Sequence, residues 1–357
     1  AKPRVGNSPY TEIIKEYLPP PGYVVPNFKR GYGSTGIWLD PYFPALIGRI
    51  RKPIPINIAL LRKATKCYRQ PLVDNNFSRS HYLQPLNFDS ACNGIVGLTS
   101  INVLNRSTSA GYGLSGSKRN YFIADPLSSM PDGMRPNDEQ LTLLYLMDEK
   151  LRSGVRVCPI FQAFLKTEEV VKPAKAEIGK YRVFMGCPML FTIVARKYYL
   201  PIIRLLIHHR DLSESAVGIN CYSSDWDSLY GDLDRKDYLY FDLDYKSFDG
   251  EMLKTLMFFG FSVLIDLAKT SQFYNSGDIM AMTTIMYDII HFVAIYDDAV
   301  ISFARGNPSG HCLTTIINCI VNSIALRVAW YMIGYDLSEF SDNVYLRTFG
   351  DDLIVGV

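Results

Sequence analysis

The chain has 357 residues, of which 48% are hydrophobic, 20% charged and 13% aromatic, a balance that excludes a disordered or low-complexity chain. It supplies enough apolar mass for roughly two or three domains. A formal net charge of only +2 excludes an overall basic field, so nucleic-acid contacts must come from local clusters. Cys67, Cys92, Cys158, Cys187, Cys221, Cys312 and Cys319 are scattered, odd in number and without a C-x-x-C pair. That argues for reduced thiols in a cytosolic setting and against structural zinc. No N-terminal segment joins a basic run to an apolar one, so no secretory signal is expected.

Up to about residue 130 the chain reads as loops wrapped over other elements, with turn-rich stretches at Pro19–Gly22, Gly31–Ser34 and Ser107–Gly116. A helix is predicted over Asp138–Ser153, with Asn137 as its N-cap. Lys166 to Lys197 is the most basic segment: Lys166, Lys172, Lys175, Lys180, Arg182, Arg196 and Lys197 stand against three glutamates. A strand over Tyr238–Asp244 precedes helices over Gly250 to about Lys269 and over Ile279–Ile290. Residues 291–303 read as a hairpin turning at Asp297-Asp298. Next comes a helix from about Leu313 to Gly334. The apolar run Cys312–Tyr335 around it is interrupted by Asn318, Asn322, Ser323 and Arg327, which suits a buried helix better than a membrane span. Thr348–Val357 reads as strand, tight turn and strand, with Asp351 and Asp352 in the turn.

Two acidic clusters carry candidate chemistry. Asp242 and Asp244 share one strand face, roughly 7 Å apart, and Asp249 falls where the chain turns into a helix. If Asp244 meets Asp351 and Asp352, each like-charge pair at ~4 Å costs about 4 kcal/mol at an effective dielectric of ~20, so the cluster calls for cations. Paired divalent ions suit in-line phosphoryl transfer. The stripe Thr314, Asn318 and Asn322 lies on one helix face behind the Asn307–Gly310 loop, and ribose hydroxyls are suitable partners for it. The basic segment suits a triphosphate and a template backbone. Each feature taken alone also has a structural reading: solvated Asp turns, a stripe satisfied inside the core, or a solvated basic face.

In their order these elements resemble the RNA-dependent RNA polymerases of positive-strand, picorna-like viruses (Picornavirales), over most of the chain. Asp244 and Asp249 match D-x4-D of motif A; Ser309-Gly310, Thr314 and Asn318 match motif B; Gly350-Asp351-Asp352 matches motif C, with Phe349 where Tyr is usual. Lys175-x-Glu177-x-Gly179-Lys180-x-Arg182, with Lys166 upstream, looks like motif F, the spacing from Lys166 to Lys175 being one residue longer than in the best-known relatives. Ser107–Tyr112 followed by Ser117-Lys118-Arg119 looks like motif G, with Gly113 where Pro is frequent.

The resemblance implies an α+β, right-hand polymerase whose antiparallel palm sheet is flanked by helices. Fingers would occupy 1–200 with an insertion at 253–302, and the palm 201–252 and 303–357. Motifs D and E and the thumb are expected beyond Val357. By the same resemblance Asp244, Asp351 and Asp352 hold two Mg²⁺, for which Mn²⁺ can substitute. Asp249, Ser309, Thr314 and Asn318 read the ribose; Lys166, Lys175, Lys180 and Arg182 bind phosphates; Ser109, Gly111, Tyr112 and Gly310 contact the template. Implied partners are RNA template and primer, NTPs, a genome-linked protein primer and other viral replication proteins. The implied location is the host cytoplasm, at membrane-associated replication complexes, with no membrane segment in the chain. A reverse transcriptase would share the aspartates but not the Ser309-Gly310…Thr314…Asn318 set. A nuclease would explain neither that set nor the basic segment, and a catalytically incomplete RNA-binding fragment is the rival from another class.

Overall fold

The computed structural model describes residues 31–32, 38–42, 44, 46, 49, 54–75, 83–166, 181–234, 238–245, 247–296 and 299–357. Helix α1, Ile58–Asp74, lies in the region expected to be loops. The Asn57 side chain accepts the Ala59 and Leu60 N–H groups, and Leu61, Ala64, Thr65, Tyr68 and Leu72 form a buried stripe at helical spacing. Pro71 sits in the last turn without ending the helix. Helix α2 is Phe88–Asn93, and the two-residue strands Gly31–Tyr32 and Trp38–Leu39 pair near the start of the described chain.

Strands β1, Phe122–Ala124, and β2, Met134–Pro136, pair antiparallel and lead into α3, Asp138–Arg152, where Asn137 accepts the Gln140 N–H as expected of an N-cap. Strands β3, Ile160–Leu165, and β4, Val183–Gly186, pair antiparallel. Helix α4, Met189–His208, follows; it is apolar nearly all round and packs on α2 and α3. It therefore runs across position 200/201, the fingers–palm boundary suggested by sequence. Helix α5 is Ser224–Leu233, and β5 is Tyr240–Leu243, one residue short of Asp244.

The helix expected from Gly250 to Lys269 is broken. A single turn, Phe248–Glu251, ends at Met252, and α6, Lys254–Lys269, starts after Leu253, both junction residues being extended. The cause is tertiary: the Asn307 N–H donates to Asp249 O (2.7 Å) and the Gly306 N–H to Met252 O (2.8 Å), bonds that a continuous helix would not leave available. Helix α7 begins three residues earlier than expected, at Ser276, because Asn275 and Asp278 form a reciprocal capping box; it ends at Ile290 as expected.

Strands β6, Val293–Tyr296, and β7, Ala299–Ser302, form the expected hairpin, whose turn residues Asp297 and Asp298 lie outside the described residues. Strand β6 also pairs parallel with β3, giving a four-stranded sheet in the order β4-β3-β6-β7. Helix α8, Thr314–Met332, is long and apolar enough to cross a membrane by composition, yet 67% of its apolar window is buried against this fold. It packs on α1, α6 and β8, Tyr345–Phe349. β8 pairs with β9, Asp352–Gly356, and β9 with β5, so the three-stranded antiparallel sheet runs β8-β9-β5. One large core joins α1, α4, α6, α7 and α8. A smaller one, with Trp330, Phe340, Val344, Leu346, Leu353 and Val355, lies under the β8-β9 hairpin. All seven cysteines are free.

Candidate active site

The β5-β9 register brings the two acidic clusters to one sheet end. Leu353 pairs with Leu243, so one residue further along Asp244 stands opposite Asp352. Phe349 pairs with Asp352, leaving Gly350 and Asp351 as a two-residue turn. Gly350 has φ +68° and Asp351 does not have positive φ, the pattern of a type II′ hairpin with glycine at its first position. All three aspartates are exposed. Burial, with the charges of Asp351 and Asp244, pushes the Asp352 carboxyl above its ordinary value. Among the described residues no three His, Cys, Asp or Glu side chains are already gathered into a metal cage. The structure thus brings Asp244, Asp351 and Asp352 to one edge, where the charges of Asp244 and Asp351 act on Asp352.

Helix α8 grips the turn from beneath. The Gly350 N–H donates to Cys319 Sγ (3.2 Å), the Cys319 thiol donates to Thr348 O (3.5 Å), and Asn322 Nδ2 donates to Gly350 O (2.7 Å). Gly350 O belongs to the central peptide of the turn, whose flip would convert type II′ into type I′ and force Asp351 to positive φ. Asn322 therefore fixes the direction in which Asp351 leaves the chain. It belongs to the polar stripe singled out for ribose, but its donor is spent within the protein. The near-isosteric Asn322→Leu should lower stability by about 1–3 kcal/mol in urea unfolding by leaving Gly350 O buried and unpaired. Unchanged stability would show that the bond contributes nothing.

Asp249 sits beside this edge in the one-turn helix. Its Oδ1 accepts from Asn318 Nδ2 (2.8 Å), and Asn318 Oδ1 accepts from Asn307 Nδ2 (2.9 Å). Burial raises the Asp249 pKa; the Asn318 bond, Arg49 and Arg182 pull it back, and the nearby Asp351 charge adds to the rise. Arg49, from far upstream, reaches both Asp249 O and Asn307 O at 3.5 Å and lies over the Phe303 ring. Sequence reasoning missed Arg49, Asn307 and Cys319. Only the side-chain chemistry of Asn307, next to the Ser309-Gly310 pair, offered a signal. Thr314 is spent locally, its hydroxyl donating to Pro308 O and His311 O. Ser309 Oγ is buried and has no hydrogen-bond partner among the described residues.

The basic segment divides in two. The Lys166 N–H donates to Arg182 O (2.8 Å), so these exposed residues continue the β3-β4 pair at the end where residues 167–180 join the two strands. Lys172, Lys175 and Lys180 lie outside the described residues. Arg196 and Lys197 are structural, contrary to their inclusion in a phosphate-binding stretch. Arg196 is buried in α4 and donates to Ala91 O and Asn102 O, and Lys197 pairs with Asp148 at 2.6 Å.

Of the template candidates, Ser109 and Gly310 line one cavity of about 670 Å³ with Ser309, Lys118, Phe164 and Phe184, whereas Gly111 and Tyr112 do not. Gly111 packs against Pro188, its N–H donating to Ser109 Oγ; Tyr112 is exposed. Gly310 lies so close to Met185 O that a Cβ would stand 1.5 Å from it, so that position takes only glycine. Lys118 is buried and ties the loop by donating to Thr108 Oγ1 and Ser109 O.

Comparison with known proteins follows the same lines. The chain is 29% identical over 306 residues to the replicase polyprotein of Drosophila C virus (strain EB), covering 80% of this chain and 17% of that protein. It is 33% identical over 284 residues to the genome polyprotein of Deformed wing virus, covering 75% of this chain and 10% of the polyprotein. The chain thus spans a small part of the curated relatives it matches. Among solved structures, the Sicinivirus 3Dpol RNA-dependent RNA polymerase shares the fold, with a TM-score of 0.66 and 23% identity over 88% of this chain and 60% of that one. The family model described as viral RNA-dependent RNA polymerase matches residues 66–357, and the chain belongs to that family.

Proposed function

We propose that this chain forms the fingers and palm of an RNA-directed RNA polymerase that transfers NMP from NTP to an RNA 3′-hydroxyl, replicating a viral RNA genome. The observation that carries this reading is the register placing Asp244 opposite Asp352, with Asp351 in the adjoining turn and Asp249 locked to Asn318 beside them. Residues 1–200 and 253–302 are assigned to fingers, and 201–252 and 303–357 to palm. The sheet uniting β3, β4, β6 and β7 supports grouping the insertion with the fingers.

The donor set fits hard divalent cations: three exposed carboxylates at one edge, the Asp352 pKa raised by burial and by the charges of Asp351 and Asp244. Asp244, Asp351 and Asp352 would hold two Mg²⁺, or Mn²⁺ in substitution. When bound, these ions supply charge stabilisation at phosphorus and lower the pKa of the attacking hydroxyl. Lys166, Lys175, Lys180 and Arg182 would hold the triphosphate. Asp249, Asn318 and the partnerless hydroxyl of Ser309 would bind the ribose 2′-hydroxyl, with Thr314 shaping the loop between them. The cavity lined by Ser109 and Gly310 would take the template, with Gly111 and Tyr112 at its approach. RNA template, primer and NTPs are the partners, with a genome-linked protein primer and other viral replication proteins. The work site would be the host cytoplasm at membrane-associated complexes, as the resemblance to viral replicases implies.

Primer extension on an RNA template with Mg²⁺ tests the reading, using a polymerase that contains residues 1–357. NTPs should be strongly preferred to dNTPs. Asp249→Ala should shrink that preference by about 10–100-fold, the worth of one hydrogen bond to a charged group. Equal use of dNTPs by the parent enzyme would refute the ribose assignment.

A further inference from the structure

We infer that Asn307 and His311 are positioning residues that set sugar selectivity by fixing which end of the Asn318 amide faces Asp249. This rests on the ribose-reading role of Asn318 and Asp249 proposed above, and it adds two residues that act on the sugar only through Asn318.

The observation is a directional hydrogen-bond chain. The Leu313 N–H donates to His311 Nδ1 (3.2 Å), so Nδ1 carries no proton. His311 Nε2 must then carry it, and donates to Asn307 Oδ1 (2.9 Å). Asn307 Nδ2 in turn donates to Asn318 Oδ1 (2.9 Å), and Asn318 Nδ2 to Asp249 Oδ1 (2.8 Å). Turning either amide over would set donor against donor or acceptor against acceptor along the line. The orientation of Asn318 is thus determined from the backbone of the α8 entrance, through two side chains, to the carboxylate.

Burial makes that determination strict. Relative exposure is 0% for Asn307 and 5% for His311, so a partner lost between these two is not readily replaced by water from outside. Burial holds the His311 imidazole down to about 3, so it stays neutral, as the chain requires. Asn307 is also fixed through its backbone, its N–H donating to Asp249 O at 2.7 Å.

The consequence falls on the incoming sugar. With its amide held this way, Asn318 retains one N–H beyond that given to Asp249, and Asp249 retains Oδ2. A 2′-hydroxyl can accept from the first and donate to the second. A 2′-deoxy sugar can do neither, and leaves both unpaired. If the Asn318 amide turned over, its oxygen would face the Asp249 carboxylate, and the pair would separate.

The test compares matched NTP and dNTP incorporation by the same polymerase carrying Asn307→Asp, His311→Leu, His311→Gln or Asn318→Ala. Asn307→Asp is isosteric but cannot donate to Asn318 Oδ1, so its readout does not depend on altered packing. It should lower the NTP:dNTP ratio of kcat/KM by about tenfold, chiefly through NTP KM, with kcat changed by less than about threefold. His311→Leu should act in the same direction, and His311→Gln, which restores a donor, should recover most of the lost selectivity. A role confined to folding would lower the melting temperature and total activity while leaving the sugar ratio alone.

If Asn318→Ala loses selectivity while Asn307→Asp and His311→Leu keep it within about twofold of the parent, the relay is wrong and the ribose assignment survives. If Asn318→Ala itself keeps full selectivity, the ribose assignment is wrong and the relay falls with it.

Discussion

Asp351→Asn is expected to reduce primer extension at saturating Mg²⁺ by at least about a thousandfold while leaving the fold as stable as before, or more so. The substitution is isosteric, and the turn that carries it does not depend on the carboxylate. Gly350 supplies the positive φ, and Cys319 and Asn322 hold its N–H and carbonyl from α8. What changes is one negative charge at an edge that already holds Asp244 and Asp352. Burial and the charges of Asp351 and Asp244 raise the Asp352 pKa, so like-charge repulsion is one component of the balance at this edge. Removing one charge relieves that repulsion, so the metal-free melting temperature should hold or rise even as activity disappears. Retention of more than about a tenth of parental activity would remove Asp351 from the metal set; a fall in activity accompanied by a large fall in melting temperature would assign it to structure.

The chemistry of the site was more legible in the sequence than its support. Asp-rich turns alone also read as solvated loops; Asp244, Asp351 and Asp352 are singled out by the order and spacing of the motifs around them, and their convergence follows from a register of only four pairs. Helices α3, α7 and α8 were visible through periodicity and capping residues. Helix α1 was not, because Arg62, Lys63, Lys66 and Arg69 break up the apolar run along the sequence and Pro71 sits near its end. The stripe itself is intact on the buried face, where Leu61, Ala64, Tyr68 and Leu72 lie. The break at Met252 and Leu253 has no local cause at all. It exists because Gly306 and Asn307, more than fifty residues away, require the carbonyls of Met252 and Asp249.

The polar stripe on α8 showed the limits of spacing arguments. Thr314, Asn318 and Asn322 do share one face, yet each is spent on a different partner: a loop, a carboxylate and a turn peptide. Spacing gives the face and says nothing about what lies opposite. Likewise the charge count of the basic segment could not separate Arg182, exposed beside Lys166, from Arg196, which is buried and binds backbone carbonyls. Charge is legible in sequence; solvation is not.

The largest effect on stability is expected away from the carboxylates, at Arg327. Its guanidinium makes a two-pronged contact with Glu214, Nη1 to Oε2 at 2.9 Å and Nη2 to Oε1 at 2.6 Å, where side-chain exposures are 4% and 13%. It also donates to Ser323 O (3.0 Å) and lies 4.1 Å from the Phe340 ring centroid. Glu214 is a non-glycine residue at φ +57°, and its carbonyl accepts both the N–H (2.8 Å) and the hydroxyl (3.1 Å) of Thr348, two residues before Gly350. The ion pair thus pins a residue in the left-handed region whose backbone supports the β8-β9 hairpin. Arg327→Leu keeps the apolar contacts but strands a buried carboxylate, and should cost about 3–5 kcal/mol in urea unfolding. Adding Glu214→Gln should restore at least half of that loss, because the penalty lies mainly in the orphaned charge and not in the missing attraction. A double variant as unstable as the single one would mean that Arg327 acts through packing on Phe340 and Tyr68. In that case Glu214 would hold its left-handed conformation without help from the ion pair.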